Sequence, residues 1–372
     1  MRARELGIRI GDLASGPEDA ITDVEGVRVG HSTIVRGEGP LVVGEGPVRT
    51  GVTVVCPRKE LARDEPVFAG AHRYNGNGEM TGLEWIREAG TLSTPVAITN
   101  THSVGVVRDA LIEAEMEART GEEDHWSLPV AAETYDGTLN DVNGQHVTAD
   151  HVREALASAS PGPVEEGSVG GGTGMICHEF KGGIGTASRL VPEADGGWTV
   201  GVLVQANYGR RRMLRVDGAP VGRVLNTERV PSPYDNEATS PAETGSIIVV
   251  FATDAPLLPT QCDRLAKRAT IGLGRMGGGL DNGSGDIFLA FATGNEGIPP
   301  DGSSEPSATV PLQMVTNEYV TPLFYAAAEA TEAAILNALL AAGDMTGRDG
   351  ITAYGLTPEL LLGALEEARV RT

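Results

Sequence analysis

The sequence predicts a mixed α/β protein in which β-sheets stack on each other and helices cover them. Predicted strands occur in adjacent pairs and so do predicted helices, without the steady strand–helix–strand alternation of a doubly wound fold. Aromatic residues make up only 4% of the chain. The core must therefore be built mainly from valine, leucine, isoleucine and alanine.

The individual elements follow from apolar periodicity and from their flanking residues. Strands are predicted at 27–34, 51–56, 95–99, 128–134, 182–191, 198–206, 246–252 and 287–292. Helices are predicted at 84–89, 104–118, 148–159, 260–274, 321–343 and 357–369. Ser103, Thr321 and Thr357 are the expected N-terminal caps of three of these helices.

Length and charge limit the classes of partner. The chain of 372 residues is long enough for one large domain or two ordinary ones. A net charge of -22 argues against a nucleic-acid partner and against an anionic membrane. No apolar run reaches membrane-spanning length, and the first residues lack the apolar region of a secretory signal. We therefore expect a cytoplasmic protein.

The three cysteines, Cys56, Cys177 and Cys262, are far apart and odd in number. Free thiols in a reducing compartment fit this spacing best. The pair Cys177-His178 could suggest a metal ligand or a thiol nucleophile. No second cysteine or histidine stands at ligand spacing, so no metal site is expected.

A Gly-Ser bond at 245–246 lies where a polar loop, 231–244, meets an apolar strand. This bond could be an ordinary strand start, because Gly-Ser pairs are common in turns. It also suits self-cleavage, because Gly245 tolerates backbone strain and leaves its carbonyl open to the Ser246 hydroxyl. The cleaved chain would then begin at Ser246. Its new α-amine, with a pKa of about 7.7–8, could act as general base for its own hydroxyl.

Polar residues also collect at other strand ends, which are usual places for site residues. They are found in the segments 133–141, 205–209 and 283–286. The segment 75–78 holds two Asn-Gly pairs, which predict tight turns with positive φ, either at a loop tip or in a pocket wall. Five glycines between 167 and 174 lack the Gly-Lys-Ser/Thr ending of a phosphate loop. A floppy loop and an oxyanion-binding nest both remain open there.

Five stretches taken together resemble the P1-type aminopeptidase family, which includes L-aminopeptidase/D-esterases and β-peptidyl aminopeptidases. The matching stretches, in the family's order, are Asn75–Glu79, Glu133–Asp141, Val204–Gly209, Gly245–Ser246 and Asn282–Asp286. The resemblance extends through nearly the whole chain. It turns the Gly-Ser bond from a common turn pair into a candidate cleavage site.

The resemblance implies a single self-processing domain, 1–372, that is cut into a larger chain, 1–245, and a smaller chain, 246–372. It implies a four-layer αββα sandwich of the aminopeptidase/ornithine acetyltransferase type. Ornithine acetyltransferases and nylon-oligomer hydrolases share that fold but use threonine as nucleophile, so a serine at 246 favours the aminopeptidase branch. Family members also imply an oligomer of processed heterodimers that acts on short peptides, amides or esters.

The resemblance also assigns the chemistry around the cleavage site. Ser246 would be the nucleophile, and it needs no metal or organic cofactor because it supplies its own amine. Ser284 and Asp286 match a pair that hydrogen-bonds the nucleophile and relays its proton. Some family members have glutamate where this chain has Asp286.

Three further residues are matched to substrate contacts. Asn207 would donate an amide N–H to the developing oxyanion, a contact worth about 3–4 kcal/mol. Tyr135 would lie beside it as a hydroxyl donor or an orienting group. Glu133 would face the pocket and bind the substrate ammonium. For Glu133 and Tyr135, a solvated strand end is the competing interpretation.

The predicted function is a self-cleaving serine aminopeptidase that works through an acyl-enzyme on Ser246. One alternative keeps the fold and changes the reaction, to an amidase for ω-amino acid oligomers or an acyltransferase. A second alternative is a non-catalytic binding protein that never cleaves. The sequence leaves open whether α-, β- or D-configured substrates are preferred.

Overall fold

The computed structural model describes residues 1–59, 62–119, 126–235, 245–300 and 307–370. Two β-sheets lie face to face, and helices cover the outer face of each sheet. This is the αββα sandwich predicted from the sequence, so the fold class is confirmed.

The strands are short and mostly buried. They are β1 (Arg28–Arg36), β2 (Val48–Cys56), β3 (Val67–Gly76), β4 (Thr91–Leu92), β5 (Val96–Asn100), β6 (Val130–Thr134), β7 (Ile176–Cys177), β8 (Phe180–Lys181), β9 (Gly183–Leu190), β10 (Thr199–Asn207), β11 (Ser246–Thr253), β12 (Gly285–Ala292), β13 (Met345–Thr346) and β14 (Thr352–Ala353). The helices are α1 (Leu83–Ala89), α2 (Val104–Ala118), α3 (Ala149–Ser158), α4 (Val221–Val224), α5 (Pro259–Ala266), α6 (Ala269–Arg275), α7 (Thr321–Ala341) and α8 (Pro358–Val370).

Strand β11 lies at the centre of the larger sheet. The six-stranded sheet has the order β4-β3-β12-β11-β10-β9, and the four-stranded sheet has the order β1-β2-β5-β6. β11 pairs with β10 in antiparallel and with β12 in parallel orientation. All eight residues of β11 are buried, which explains why its sequence is apolar without interruption.

Alternate residues of β11 enter different layers of the core. Ile248 and Val250 face the four-stranded sheet, where they join Ile98 in the apolar layer between the sheets. Ile247 and Val249 face the helices that cover the outer side. Because side chains alternate along a strand, Ser246 shares the inner face with Ile248. The first residue of β11 therefore points into the gap between the two sheets.

Helix α7 is the alanine-rich helix predicted from the sequence, and it packs on β9 and β10. The approach is close: a Cβ at Gly185 would lie only 2.0 Å from the carbonyl oxygen of Ala334. By length and composition α7 could also cross a membrane, which contradicts the expectation that no apolar run is long enough. In the structure 89% of its apolar window is buried inside the protein, as in a core helix.

Two predicted elements differ from the observed ones. The helix predicted at 260–274 is divided into α5 and α6, because α5 packs on β3 and β12 whereas α6 packs on α7. A single straight helix could not follow both surfaces. Strand β3 was not predicted, and none of Asn75, Gly76, Asn77 and Gly78 has a positive φ. The predicted tight turns are therefore wrong, and this segment runs along the wall of the site.

The glycine-rich segment 167–174 is buried between the sheets and is not a floppy loop. The main-chain N–H of Gly170 donates to the Thr33 hydroxyl, and that of Gly171 donates to the Thr53 hydroxyl. A Cβ at Gly171 would lie 2.2 Å from Gln205 Oε1. These N–H groups are occupied by the fold, so the oxyanion-nest interpretation is also wrong for them.

The three cysteines are buried free thiols. Burial raises the pKa of the Cys177 thiol to about 12, which keeps it protonated and unreactive at neutral pH. Within the described ranges, no group of three or more His, Cys, Asp or Glu side chains is arranged to hold a metal ion.

Candidate active site

Ser246 lies at the point where the chain enters the central strand of the larger sheet. Its side chain is 6% exposed. Most of the polar loop predicted before it lies outside the described residues, but Gly245 and Ser246 are both described. Ser246 is the direct cross-strand partner of Asn207 on β10 and of Gly285 on β12. The register thus brings three of the predicted motifs together at one end of these neighbouring strands.

The main-chain N–H of Gly285 faces both reactive groups of the Gly245-Ser246 bond. It lies 3.2 Å from the Ser246 Oγ and 3.2 Å from the carbonyl oxygen of Gly245. Gly245 does not have a positive φ, so the expected backbone strain is not of that kind. The position needs glycine because a Cβ would lie 2.8 Å from the Tyr208 Cα.

Ser284 and Asp286 are hydrogen-bonded to each other. The Ser284 hydroxyl donates to Asp286 Oδ1 at 2.6 Å, and the amide of Asn75 donates to Asp286 Oδ2 at 2.7 Å. The main-chain amide of Ile247 also hydrogen-bonds this carboxylate. Burial raises the pKa of Asp286, and these three donors act in the opposite direction.

The position of this pair corrects one expectation. The hydrogen bond of Ser284 goes to Asp286, and the Ser246 Oγ accepts instead from the backbone of Gly285. Asp286 is opposite Ile247, whose side chain faces the helices, whereas Ser246 faces the other sheet. The pair therefore lies beside the main chain of Ser246 and Ile247 and does not contact the hydroxyl directly.

Asn207 is fixed on both sides of its amide. Its Oδ1 accepts from the main-chain N–H of Ile176 at 2.8 Å, and its Nδ2 donates to the Tyr135 carbonyl at 2.9 Å. One hydrogen of the amide nitrogen remains for a ligand. Tyr135 is next to Asn207, but the link runs through its backbone. Its ring lies over Gly137 and is 37% exposed, so the structure does not place the hydroxyl on Asn207.

Glu133 comes from the end of β6, in the four-stranded sheet, and is 3% exposed. Its Oε1 accepts from the main-chain N–H of Glu79 at 2.9 Å, and its Oε2 accepts from the Thr101 hydroxyl. Burial raises the pKa of Glu133, and the neighbouring Glu79 carboxylate also raises it. A buried carboxylate beside a second carboxylate favours a bound cation. The competing interpretation of Glu133 as a solvated strand end is wrong.

Gly78 connects the two sheets at this site. A Cβ built on Gly78 would lie 3.1 Å from the Gly285 Cα and 3.2 Å from Glu133 Oε1. Only Gly78 therefore lies between the Glu133 carboxylate and Gly285, which hydrogen-bonds Ser246. This short separation allows one small substrate to reach both Glu133 and Ser246.

Two buried ionisable residues near the site were missed by sequence reasoning. The Lys181 ammonium is fully buried and donates to the carbonyls of Gly172, Met175 and Gly182. Burial lowers the pKa of Lys181 to about 7. Since Ile176 follows Met175 and donates to Asn207, the lysine steadies the segment that holds the Asn207 amide.

Asp136 is the second missed residue, and it follows Tyr135 directly. It is fully buried, and its Oδ1 accepts from the Asn140 amide at 3.0 Å. Burial raises the pKa of Asp136 to about 7, and the Glu133 charge adds to this effect. Asp136 lies in the polar strand end 133–141, but no local pattern signals that either residue is buried, because the burial of both depends on distant segments.

Comparison with known proteins identifies the family of the chain. The sequence profile of peptidase family S58 matches residues 19–353. Beta-peptidyl aminopeptidase BapA of Sphingosinicella microcystinivorans is 49% identical over 376 residues, which cover 99% of this chain and 92% of that protein. A second beta-peptidyl aminopeptidase BapA, from Sphingosinicella xenopeptidilytica, is 42% identical over 377 residues, covering 99% and 91%.

Solved structures of aminopeptidases also resemble this chain over nearly its whole length. A Burkholderia sp. beta-aminopeptidase superposes with a TM-score of 0.92 at 58% identity, covering 99% of both chains. The L-aminopeptidase D-Ala-esterase/amidase of Ochrobactrum anthropi, described as a variant of the Ntn hydrolase fold, superposes with a TM-score of 0.89 at 43% identity, covering 98% of both chains. The αββα sandwich is therefore a variant of the Ntn hydrolase fold. The chain belongs to peptidase family S58 and is a serine aminopeptidase.

Proposed function

We propose that this aminopeptidase releases N-terminal β-amino acids from short peptides, amides or esters, through an acyl-enzyme on Ser246. The observation that carries the catalytic part is the position of Ser246, buried at the start of the central strand beside Asn207 and Gly285. The substrate part is supported by relatives named for β-peptidyl and β-amino substrates.

Self-cleavage is the first step of the proposed mechanism. The Ser246 Oγ attacks the Gly245 carbonyl carbon, the C–N bond breaks, and the hydroxyl proton passes to the departing nitrogen. Water then hydrolyses the resulting ester. This leaves a carboxylate on Gly245 and restores the Ser246 hydroxyl next to a free α-amine. The products are the chains 1–245 and 246–372.

The mature enzyme then uses the same hydroxyl on substrates. The α-amine of Ser246 accepts the hydroxyl proton as the Oγ attacks the substrate carbonyl. The free hydrogen of the Asn207 amide donates to the oxyanion. The proton passes to the leaving amine, the acyl-enzyme forms, and water attacks it to release the N-terminal residue.

The remaining predicted residues support this cycle. Asp286, with Ser284, lies beside the main chain at Ser246, where its charge would steady the new α-ammonium and take up its proton. Glu133 would pair with the substrate ammonium and limit the reaction to unblocked N-termini. We assign Tyr135 a positioning role, because its carbonyl holds Asn207.

We also propose a cytoplasmic oligomer of processed heterodimers. The support is the resemblance of the chain to its family and, for the compartment, three free buried thiols. An oligomer that encloses its sites would admit short peptides and exclude folded proteins.

A set of matched substrates tests the proposal. The purified enzyme is assayed on the p-nitroanilides of L-alanine, β-homoalanine and N-acetyl-β-homoalanine. We expect the β-homoalanine amide to be hydrolysed fastest and the acetylated amide to be resistant. Ser246→Ala should be inactive, whereas Ser168→Ala, at a hydroxyl without a hydrogen-bond partner, should keep activity. Faster hydrolysis of the L-alanine amide would contradict the substrate assignment.

A second assay separates hydrolysis from acyl transfer. An amine acceptor is added with the β-homoalanine substrate, and the products are separated by mass. Mainly free β-homoalanine supports the peptidase. A coupled β-dipeptide as main product at millimolar acceptor would favour the acyltransferase alternative.

A further inference from the structure

We propose that the main-chain N–H of Gly285 is the oxyanion donor for self-cleavage, and that Asn207 serves only the later reactions on substrates. This inference rests on the proposed self-cleavage at Gly245-Ser246. Ser246 would then have two oxyanion donors, one for attack on its own chain and one for attack on a substrate.

The geometry of the uncut bond carries the proposal. The scissile carbonyl oxygen of Gly245 lies 3.2 Å from the Gly285 nitrogen, and the attacking Ser246 Oγ is also 3.2 Å from it. When the Oγ attacks the carbonyl carbon, negative charge develops on the Gly245 oxygen. The N–H is already aimed at that atom, in a buried place where a fixed donor is most effective.

Asn207 hydrogen-bonds two other groups in this uncut state. Its two polar atoms hold the Ile176 N–H and the Tyr135 carbonyl. The remaining amide hydrogen is available to a substrate that enters the gap between the sheets. The two donors thus belong to two different carbonyls, one in the chain itself and one in the substrate.

Gly285 is held rigidly for this role. A Cβ at Gly285 would lie 2.3 Å from the Asn77 carbonyl oxygen, so only glycine fits. Asn77 also secures the two residues that precede Gly285, since its main-chain N–H donates to the Ser284 carbonyl and its side-chain amide donates to the Gly283 carbonyl. The Asn-Gly-Asn-Gly and Gly-Ser-Gly-Asp segments therefore clamp one N–H group opposite the scissile bond.

The direct test removes this N–H and leaves every side chain unchanged. Cell-free translation with glycolic acid in place of Gly285 converts the amide to an ester and keeps the backbone shape. Cleavage is followed by denaturing electrophoresis and intact mass. We expect self-cleavage to slow by about 100- to 1000-fold. Glycolic acid in place of Gly201, a glycine of β10 in the same sheet, is the matched control and should leave the rate within about threefold of wild type.

A second variant keeps the test decisive if the ester variant does not fold. Asn207→Ala should self-cleave within about threefold of the wild-type rate while losing turnover of peptides. An ester variant that cleaves at the wild-type rate, or a folded Asn207→Ala chain that stays uncut, would overturn the assignment. A wild-type chain that stays uncut in the same reactions would instead refute the proposed self-cleavage.

Discussion

The two sheets contribute to the active site in different ways. In the six-stranded sheet, Ser246 is held by a main-chain hydrogen bond from its neighbour in the strand ladder. In the four-stranded sheet, Glu133 is held by a threonine hydroxyl and by the backbone of a loop that follows β3. Ladder geometry fixes the reacting atoms, whereas loop and side-chain contacts fix the group that would recognise the substrate. Substitutions on the first sheet should therefore change rates, and substitutions on the second should change affinity.

After removal of the nucleophile itself, the largest expected effect on turnover comes from Asn207→Ala. Loss of the oxyanion donor should lower kcat by about 100- to 1000-fold with little change in KM. Steady-state kinetics on a β-homoalanine amide measures this effect, with Asn317→Ala at the surface as control. A large rise in KM with unchanged kcat would show that Asn207 binds the ground state instead.

Glu133→Gln should have the opposite kinetic signature. A charged hydrogen bond is worth about 1.5–3 kcal/mol, so KM for substrates with a free ammonium should rise about 10- to 100-fold, while kcat changes much less. The discrimination against N-acetylated substrates should also fall. The matched control is Glu113→Gln, at an exposed residue. A variant that keeps its KM would remove Glu133 from substrate recognition.

Lys181→Met tests whether the buried lysine positions Asn207 through the segment between them. The methionine is an unbranched side chain one heavy atom shorter than lysine, and it leaves the carbonyls of Gly172, Met175 and Gly182 without their donor. Because the same segment holds Asn207, we expect kcat to fall about tenfold with KM unchanged. Lys267→Met, on the surface, should have no effect. Equal kcat in both variants would limit Lys181 to a role in stability.

Asp136→Asn should act on stability as a function of pH. Burial raises the pKa of Asp136 to about 7, whereas an unfolded aspartate has a pKa of about 3.9. As pH rises from about 4 to about 7, the unfolded state releases this proton before the folded state does, so the wild type loses stability over that window. The asparagine variant should lack this loss.

Thermal unfolding at several pH values measures the difference. The Tm of Asp136→Asn relative to wild type should rise between pH 4 and pH 8, with Asp109→Asn on the surface as control. A constant difference in Tm across that range would show that Asp136 titrates normally.

The sequence predicts the strands of the site well, because β11 and β12 are uninterrupted apolar runs with polar residues at their ends. It also predicts which residues gather at those ends. It does not predict contacts such as Asn75 to Asp286, which are 211 residues apart. Such contacts depend on which strands become neighbours, and periodicity carries no information about strand order.

The burial of the missed residues could not be predicted for a different physical reason. A lysine at the end of a two-residue strand is normally solvent-exposed, so nothing local marks Lys181 as buried. Its burial follows from the glycine-rich segment, which fills the gap between the sheets and offers carbonyl groups to the ammonium. The expected direct contact between Ser284 and Ser246 is absent for a related reason. Alternation along the strands places Asp286, the partner of Ser284, on the helix-covered face of the sheet, whereas Ser246 is on the inner face.

The central claim is that Ser246 becomes the N-terminus of a second chain. Intact mass of the freshly purified protein, with N-terminal sequencing of any smaller fragment, tests it most directly. The account predicts two chains in equal amounts, the smaller one beginning Ser246-Ile247-Ile248. A protein that is shown to be folded, remains one uncut chain for days and still hydrolyses amides would contradict it.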